Sequence, residues 1–352
     1  MFFDEIHVTF YADVAAAILS FGVFVLCSRG VIKDDFSSKV FRLLLVTCFW
    51  LSIIDAATYA RKYHEFTGAY PLAITMQTLL ELTVNFLIFL WLIYVNYEIN
   101  HSVDSIKRQF LKFAFPMLVL MALDIINAFT GILFFYDEHV MYHTTWFMYV
   151  YYAVRYFYFF SCVIQISVHK SRSSDLKFFD VWGFLIPVLF GGLVTNLTPY
   201  SVMALGFAIG LCNVYAGIIN ELSFVDGGTG FFNRYYLRYL KSDIEREKFS
   251  PKSGMICRLE DPDGMKDFSS LLAPALPKKC EVVRFGEDTV LVLAEISQRG
   301  ALKMISDDVS EAVEKYNTEH KEKPLTVSID SVFKKKKEST KGFYDMFLRK
   351  IG

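Results

Sequence analysis

Seven stretches of the chain stay apolar for about 20 residues each, which is the length a helix needs to cross a bilayer core about 30 Å thick. They fall at about residues 8–27, 40–60, 71–95, 111–135, 142–167, 178–195 and 200–220, with short polar intervals between them. Inside lipid an isolated strand would leave its backbone groups unpaired, so the stretches are predicted to be helices. Tyr11, Tyr59, Tyr70, Tyr94, Tyr136, Tyr142 and Trp182 lie near their ends, where amphipathic rings settle at the membrane interface. Beyond residue 220 the pattern changes. Asn233–Arg246 and Ile305–Tyr316 read as amphipathic helices, and Glu281–Leu293 alternates as two strands around a Gly-Glu-Asp turn.

Composition sharpens that division. The chain is 54% hydrophobic, 17% aromatic and only 21% charged, against about 25% charged in ordinary globular chains. Lys, Arg, Asp and Glu make up about 13% of residues 1–220 and about 34% of residues 221–352. The sequence therefore divides into a membrane domain, 1–220, and a water-exposed domain, 221–352. A net charge of −1 excludes a polycationic nucleic-acid binder. The six cysteines form no CxxC pair, so neither a zinc site nor a disulfide scaffold is expected.

Basic residues set the orientation. Arg29, Lys33, Lys39, Lys107, Arg108, Lys170, Arg172 and Lys177 follow spans one, three and five. The opposite side has Arg61 and Lys62 against Asp4, Glu5, Glu65, Asp137 and Glu138. The positive-inside rule then puts the N-terminus outside and residues 221–352 in the cytoplasm. The first span lacks a basic leading segment and is read as a retained helix, not a cleaved signal.

A charge at the bilayer centre costs about 2.5–3.5 kcal/mol on insertion scales, so each one calls for a partner or a purpose. Glu81, Asp124 and Arg155 fall near the middle of spans three, four and five, at similar depth. Arg155 can therefore pair with Glu81 or with Asp124. Asn85 and Asn127 stand within one turn of these acids, while Asp55 and Asp13 lie nearer the outer ends of spans two and one. Two readings stay open: an outward-facing polar pocket for a small ligand or ion, or an ion pair that fixes helix register.

The segment Asp226-Gly-Gly-Thr-Gly-Phe-Phe-Asn-Arg-Tyr235 resembles the opening of the GGDEF, or diguanylate cyclase, family, with Asp226, Thr229, Gly230, Asn233 and Arg234 matching. Further motifs follow in the family's order. Met255–Leu259 stands as its first core strand and Asp261-Pro-Asp-Gly-Met-Lys266 as its acidic loop. Gly286-Glu287-Asp288-Thr289-Val290 occupies the signature turn, Pro324–Ile329 a later strand and Tyr344–Leu348 the closing helix. The resemblance implies a small α/β domain with a mostly antiparallel sheet flanked by helices. In active members two such domains face each other, each holding GTP, and acidic side chains bind Mg²⁺ that activates a 3′-hydroxyl.

Carried over residue by residue, the resemblance assigns Asp261 and Asp288 to the metal, with Asp288 as the remaining catalytic acid. Asp226, Asn233, Gly286 and Glu287 would border the nucleotide. Several positions depart from the pattern. Thr289 replaces the second signature acid, Glu287 puts a side chain where bare glycine backbone approaches the nucleotide, and Ser269 replaces the guanine-reading Asn. The stretch between Ser269 and Arg284 is too short to hold the segment that completes the guanine pocket, and Pro277-Lys-Lys-Cys280 replaces the inhibitory product site.

These losses together point to a receptor. A seven-span bundle senses a small ligand, and a degenerate GGDEF-like domain relays the state by contact, as a homodimer or through a cytoplasmic protein partner. Mg²⁺ and GTP would bind only if the nucleotide site is retained. The alternatives are an active cyclase making cyclic di-GMP from two GTP, and a transporter or channel with a regulatory domain.

Overall fold

The computed structural model describes residues 2–31, 35–61, 68–100, 102–138, 141–172, 180–277 and 280–351. Lys33, Lys62, Glu65, Lys177, Lys278 and Lys279 lie outside the described residues, as do the side chains of Asp4, Glu5, Arg61, Lys170 and Arg172. The chain separates into two compact units, with the division in the chain falling between Ile218 and Ile219.

The first unit is helical. Its elements are α1 (Phe2–Leu26), α2 (Phe36–Arg61), α3 (Ala69–Asn100), α4 (Val103–Thr130), α5 (Trp146–Arg172), α6 (Val181–Leu197) and most of α7 (Met203–Phe224). Five helical segments are long and apolar enough to cross a membrane: His7–Arg29, Phe36–Ala60, Ala69–Asn100, Trp146–His169 and Met203–Phe224. The other two expected spans come out shorter, with apolar parts Ala114–Thr130 and Val181–Leu197 among the described residues. The 17 residues of α6 reach about 25 Å at 1.5 Å per residue. Ile18, Phe115, Phe157, Phe190 and Leu197 all point outward and are more than half exposed. So much outward apolar surface suits lipid, not water.

Two expected span boundaries are corrected. Residues 131–135 and 142–145 are not helical. Strand β1 (Phe134–Tyr136) pairs antiparallel with β2 (Tyr142–Thr144), Phe135 opposite His143. Gly131 ends α4 at φ +65°, a region open to glycine at no steric cost. Asn127 fixes the turn: its Oδ1 accepts from the Leu133 amide (2.6 Å) and the Phe134 amide (3.2 Å), and its Nδ2 donates to the Phe134 carbonyl (3.1 Å). Asn127 therefore serves the hairpin and not the polar face of Asp124, where the sequence had put it.

Two local devices close the bundle. Gly206 and Gly210 on α7 meet Gly191 and Phe184 on α6 with no room between: a Cβ at Gly206 would stand 2.5 Å from the Pro187 carbonyl oxygen. Small residues let membrane helices approach this way. Fully buried Trp91 stacks on Phe184 at 3.6 Å between ring centroids, locking α3 to α6.

The second unit holds a five-stranded sheet. Strand β3 (Phe232–Asn233) is followed by α8 (Tyr236–Glu245), β4 (Ser253–Leu259), α9 (Met265–Ala275), β5 (Cys280–Arg284), β6 (Thr289–Ala294), α10 (Arg299–Glu319), β7 (Val327–Phe333) and α11 (Thr340–Arg349). Spatial order is β3-β5-β6-β4-β7, antiparallel throughout except for β3 beside β5. Every residue of β6 is buried, as expected of a central strand covered on both faces. On one face Met255, Cys257, Val290 and Val292 pack with Phe268 and Leu272 of α9 and Leu302 and Val309 of α10. On the other, Phe347 of α11 lies so close over Gly254 that a Cβ there would stand 2.6 Å from its ring, and the Tyr344 hydroxyl donates to the Leu237 carbonyl of α8 (2.7 Å).

Several sequence boundaries move here. The helix expected from Asn233 starts at Tyr236, because Asn233 is a strand residue whose Oδ1 accepts from the Tyr235 amide (2.9 Å). The last strand begins at Val327, not Pro324, since Leu325 is clamped to α10 by both ends of the Asn317 amide, at 2.6 and 2.9 Å. The helix expected over Ile305–Tyr316 extends to Arg299–Glu319.

Candidate functional site

Glu81 and Asn85 stand one turn apart on α3, as Tyr151 and Arg155 do on α5, so each pair shares a helix face. Asp124 of α4 completes the group. Arg155 Nη2 meets Glu81 Oε2 at 2.6 Å and donates to the Tyr151 hydroxyl at 2.7 Å, while Arg155 Nε donates to Asn85 Oδ1 at 3.1 Å. Of the two acids the sequence offered it, Arg155 takes Glu81. Asp124 is reached indirectly: the Tyr151 hydroxyl donates to its Oδ1 (2.7 Å) and Asn85 Nδ2 to its Oδ2 (2.7 Å). Glu81 also accepts from Gln77 Nε2 at 3.3 Å. The Tyr151 ring lies under the guanidinium, 4.8 Å away, and the Tyr152 ring is at 5.5 Å.

The four residues named from the sequence thus form one connected network, none of them more than 5% exposed. In so dry a setting, charges hold only when paired and fully hydrogen-bonded.

Against this network opens a cavity of about 800 Å³, within the range that takes small ligands. Glu81 and Gln77 line one part, Asp55 and Ser201 another, and Tyr136, Tyr142, Tyr149, Tyr152 and Tyr156 supply much of the rest. A second, small void of about 30 Å³ lies beside Arg155 toward Gly192 and Phe207. The large cavity belongs to the end of the bundle that carries the β1–β2 hairpin and the α6–α7 connection, because residues 195–199 and Thr144 also line it. Sequence reading missed Gln77, Ser201 and the hairpin tyrosines as lining residues. A buried Asp55 needs a donor, and that need was the signal that could have led to Ser201, whose hydroxyl donates to Asp55 Oδ2 at 2.5 Å.

In the second unit the candidate nucleotide residues are largely occupied. Asp226 Oδ1 accepts from the Thr229 amide (3.0 Å), the Thr229 hydroxyl (2.8 Å) and Arg284 Nη1 (2.9 Å). Partial burial works against its charge, but the hydrogen bonds from Arg284 and Thr229 prevail and hold the carboxyl below the usual carboxylate range. Gly230 at φ +75° lets the loop close, with the Asp226 amide donating to the Phe231 carbonyl at 2.7 Å. Asn233 binds the Tyr235 amide with one end of its side chain and the Ser223 carbonyl (2.8 Å) with the other.

Asp261 and Asp288 come to the same end of the sheet, since the Leu259 amide at the close of β4 donates to the Asp288 carbonyl at 2.8 Å. Both are exposed. Asp261 caps the short turn Pro262–Gly264 by accepting from the Asp263 amide (3.0 Å), and Asp288 Oδ1 accepts from the Thr289 hydroxyl (2.8 Å). Glu287 is exposed at the turn, and the Gly286 carbonyl accepts from Arg284 Nε (3.2 Å). Among the described residues no three His, Cys, Asp or Glu side chains gather as a metal site. Asp226 and Asn233 are thus engaged within the chain, and Thr289 stands where the resembled family carries an acid.

No family model and no curated protein matches the chain. Among solved structures, the S helix-GGDEF-EAL portion of Vibrio cholerae LapD bound to c-di-GMP is similar at 16% identity, covering 36% of this chain and 32% of that one, with a TM-score of 0.30. Its apo form is similar at 12% identity over 37% of this chain and 34% of that one, with a TM-score of 0.28. The GGDEF domain of Pseudomonas aeruginosa FimX is similar at 13% identity over 36% of this chain and 95% of that one, with a TM-score of 0.25. The chain spans about a third of the length of the LapD structures it matches.

Proposed function

We propose that the chain is a bacterial signal-transduction receptor of the cytoplasmic membrane. It crosses the bilayer seven times with its N-terminus outside, and a small ligand enters the large cavity from the outer face. Residues 221–352 form a cytoplasmic, catalytically inactive GGDEF-like domain that relays the bundle's state by contact, as a homodimer or to a protein partner. The observation that carries this reading is the cavity itself, bordered by Glu81 in a fixed network with Arg155, Asn85, Asp124 and Tyr151. Such a wall is prepared to discriminate ligands and to report their binding, because a ligand hydrogen-bonding Glu81 competes with Arg155. Ligand binding can shift the bundle only if the two states bind it differently.

The GGDEF-like reading rests on the ordered motifs from Asp226 to Leu348 and on a mostly antiparallel sheet with helices on both faces. Inactivity rests on the closed Asp226 and Asn233 contacts and on Thr289. The test uses the full chain in lipid nanodiscs. Incubated at high concentration with GTP and Mg²⁺, it is expected to make no cyclic di-GMP, and titration with GTP is expected to give no Mg²⁺-dependent heat. Appearance of cyclic di-GMP would replace the receptor reading by the cyclase. Flux of solutes through the protein in proteoliposomes, lost in Glu81→Gln, would replace it by a transporter.

A further inference from the structure

A second group of buried polar side chains in the helical unit is chemically distinct from the Arg155 network. Thr9 and Asp13 stand one turn apart on α1 and so share a face. Asp55 comes from α2, and Ser201 sits just before α7. The Ser201 amide donates to Thr9 Oγ1 (3.1 Å), the Ser201 hydroxyl donates to Asp55 Oδ2 (2.5 Å), and Asp13 lies within electrostatic reach of Asp55. None of the four is more than 2% exposed. Both carboxylate oxygens of Asp13, and Oδ1 of Asp55, are nevertheless buried with no hydrogen-bond partner.

Three orphaned carboxylate oxygens in one dry place need an explanation. A buried acceptor without a donor is costly, and an unpaired buried charge is more so. Arg155, the guanidinium of the neighbouring network, is engaged by Glu81 at 2.6 Å. Among the described residues no arginine, lysine or histidine reaches Asp13 or Asp55. A bound cation would satisfy all three oxygens at once.

The donor set says which kind. Two carboxylates and two hydroxyls are all hard oxygen donors, which suit a hard cation and not a transition metal preferring nitrogen or sulfur. Asp13 is not among the residues lining the large cavity, whereas Asp55 and Ser201 are. A bulky ammonium or a hydrated ion in the cavity could touch Asp55 but not the enclosed oxygens of Asp13. Magnesium parts with its water reluctantly and demands near-octahedral geometry. A small monovalent ion that sheds its water fits this enclosure.

We propose that Asp13, Asp55 and Thr9 form a binding site for a dehydrated sodium ion, which enters from the large cavity past Asp55 and Ser201. The site stands whether or not the cavity senses an organic ligand, because its evidence is the orphaned oxygens and not the Arg155 network.

The experiment is thermal unfolding of the full chain in nanodiscs at pH 8 and constant ionic strength, with sodium, potassium, N-methylglucamine or calcium chloride as the varied salt. Sodium is expected to raise Tm by several degrees and to saturate, as linkage requires of an ion that binds only the folded state. Potassium and N-methylglucamine are expected to leave Tm in place. Asp13→Asn and Asp55→Asn should each abolish the sodium-dependent rise, and Thr9→Val should move it to higher sodium concentration. The comparison of salts on the unmodified chain needs no variant to fold. Equal Tm in sodium, potassium and N-methylglucamine, with Asp13→Asn more stable than the unmodified chain, would overturn the site and leave a protonated packing pair. A rise with calcium alone would overturn the sodium assignment.

Discussion

Each unit of the chain contains an arginine–carboxylate pair, and the two pairs use the same chemistry in opposite surroundings. Arg155 and Glu81 meet at 2.6 Å with side chains 5% and 6% exposed, whereas Arg284 and Asp226 meet at 2.9 Å with side chains 26% and 24% exposed. The first pair sits among further donors and acceptors, Asn85, Tyr151 and Gln77, that bond to it directly. The second closes a surface loop whose other bonds are local to residues 226–231. Removing one partner from a buried pair strands a charge that is poorly solvated, while removing one from a half-exposed pair mostly returns a charge to solvent. The comparison teaches that the cost of breaking an ion pair is set by what remains behind. In this molecule the deep pair joins α3 to α5, and the shallow one closes a loop.

The sharpest way to break that comparison is to remove the deep cation. Arg155→Ala is expected to destabilise the bundle by about 3–5 kcal/mol, seen as a lower yield of folded protein and a lower Tm in detergent. Replacing both partners, Arg155→Leu with Glu81→Leu, should recover most of that loss, since no charge is then stranded. If the single variant unfolds like the unmodified chain, the pair does not hold the helices. Next in size comes the α6–α7 contact. Gly206→Ala puts a methyl group 2.5 Å from the Pro187 carbonyl oxygen, a backbone atom that cannot swing aside. It should cost about 1–3 kcal/mol, as overpacking does. Gly22→Ala, which meets nothing within 4 Å, is the matched control.

How much of this was legible in the sequence follows from the same contrast of environments. Glu81, Asp124 and Arg155 announced themselves because a charge inside an apolar run is expensive wherever it lands, and three at one depth had to meet. The choice of Glu81 over Asp124 depends on how α3, α4 and α5 rotate against one another, which no spacing along one helix contains. The orphaned oxygens of Asp13 were hidden for a related reason: residue 13 looked like an entrance position, and only the packing of α1 against its neighbours buries it. Apolar runs also overstated helix at residues 131–135, because Phe134 and Tyr136 are as much at home in a strand as in a span. In the second unit the hairpin around Gly286–Asp288 was readable from alternation. By contrast, the capture of Leu325 by Asn317, which delays the last strand, joins residues eight apart through a side chain that gives no periodic signal.

The shallow pair gives a smaller and pH-dependent effect. Asp226→Asn is expected to cost about 1 kcal/mol, in keeping with a partly exposed pair. The Asp226 carboxyl is held below its usual range, so it ionises more readily folded than unfolded. Its contribution is therefore complete at neutral pH. It declines as the pH falls toward the unfolded carboxylate value of about 3.9 and is lost below the folded value. Pulse proteolysis in urea on the full chain, reading cleavage within residues 221–352, should show the variant and the unmodified protein converging as the pH drops. A gap that widens toward low pH would reverse the assignment.

The smallest effect is expected at the signature turn, and it separates a vestigial site from a retained one. Glu287 projects into solvent, and Asp288 contributes one side-chain hydrogen bond, to the Thr289 hydroxyl. Asp261→Asn and Glu287→Gly should each change stability by less than about 0.5 kcal/mol, as surface substitutions without a special role do. If the nucleotide site is only a remnant, Glu287→Gly also leaves GTP binding undetectable, because opening the turn frees neither Asp226 from Arg284 nor Asn233 from the Ser223 carbonyl. A gain of Mg²⁺-dependent GTP binding on Glu287→Gly alone would mean that one side chain, and not the closed loop beneath it, had kept the site shut.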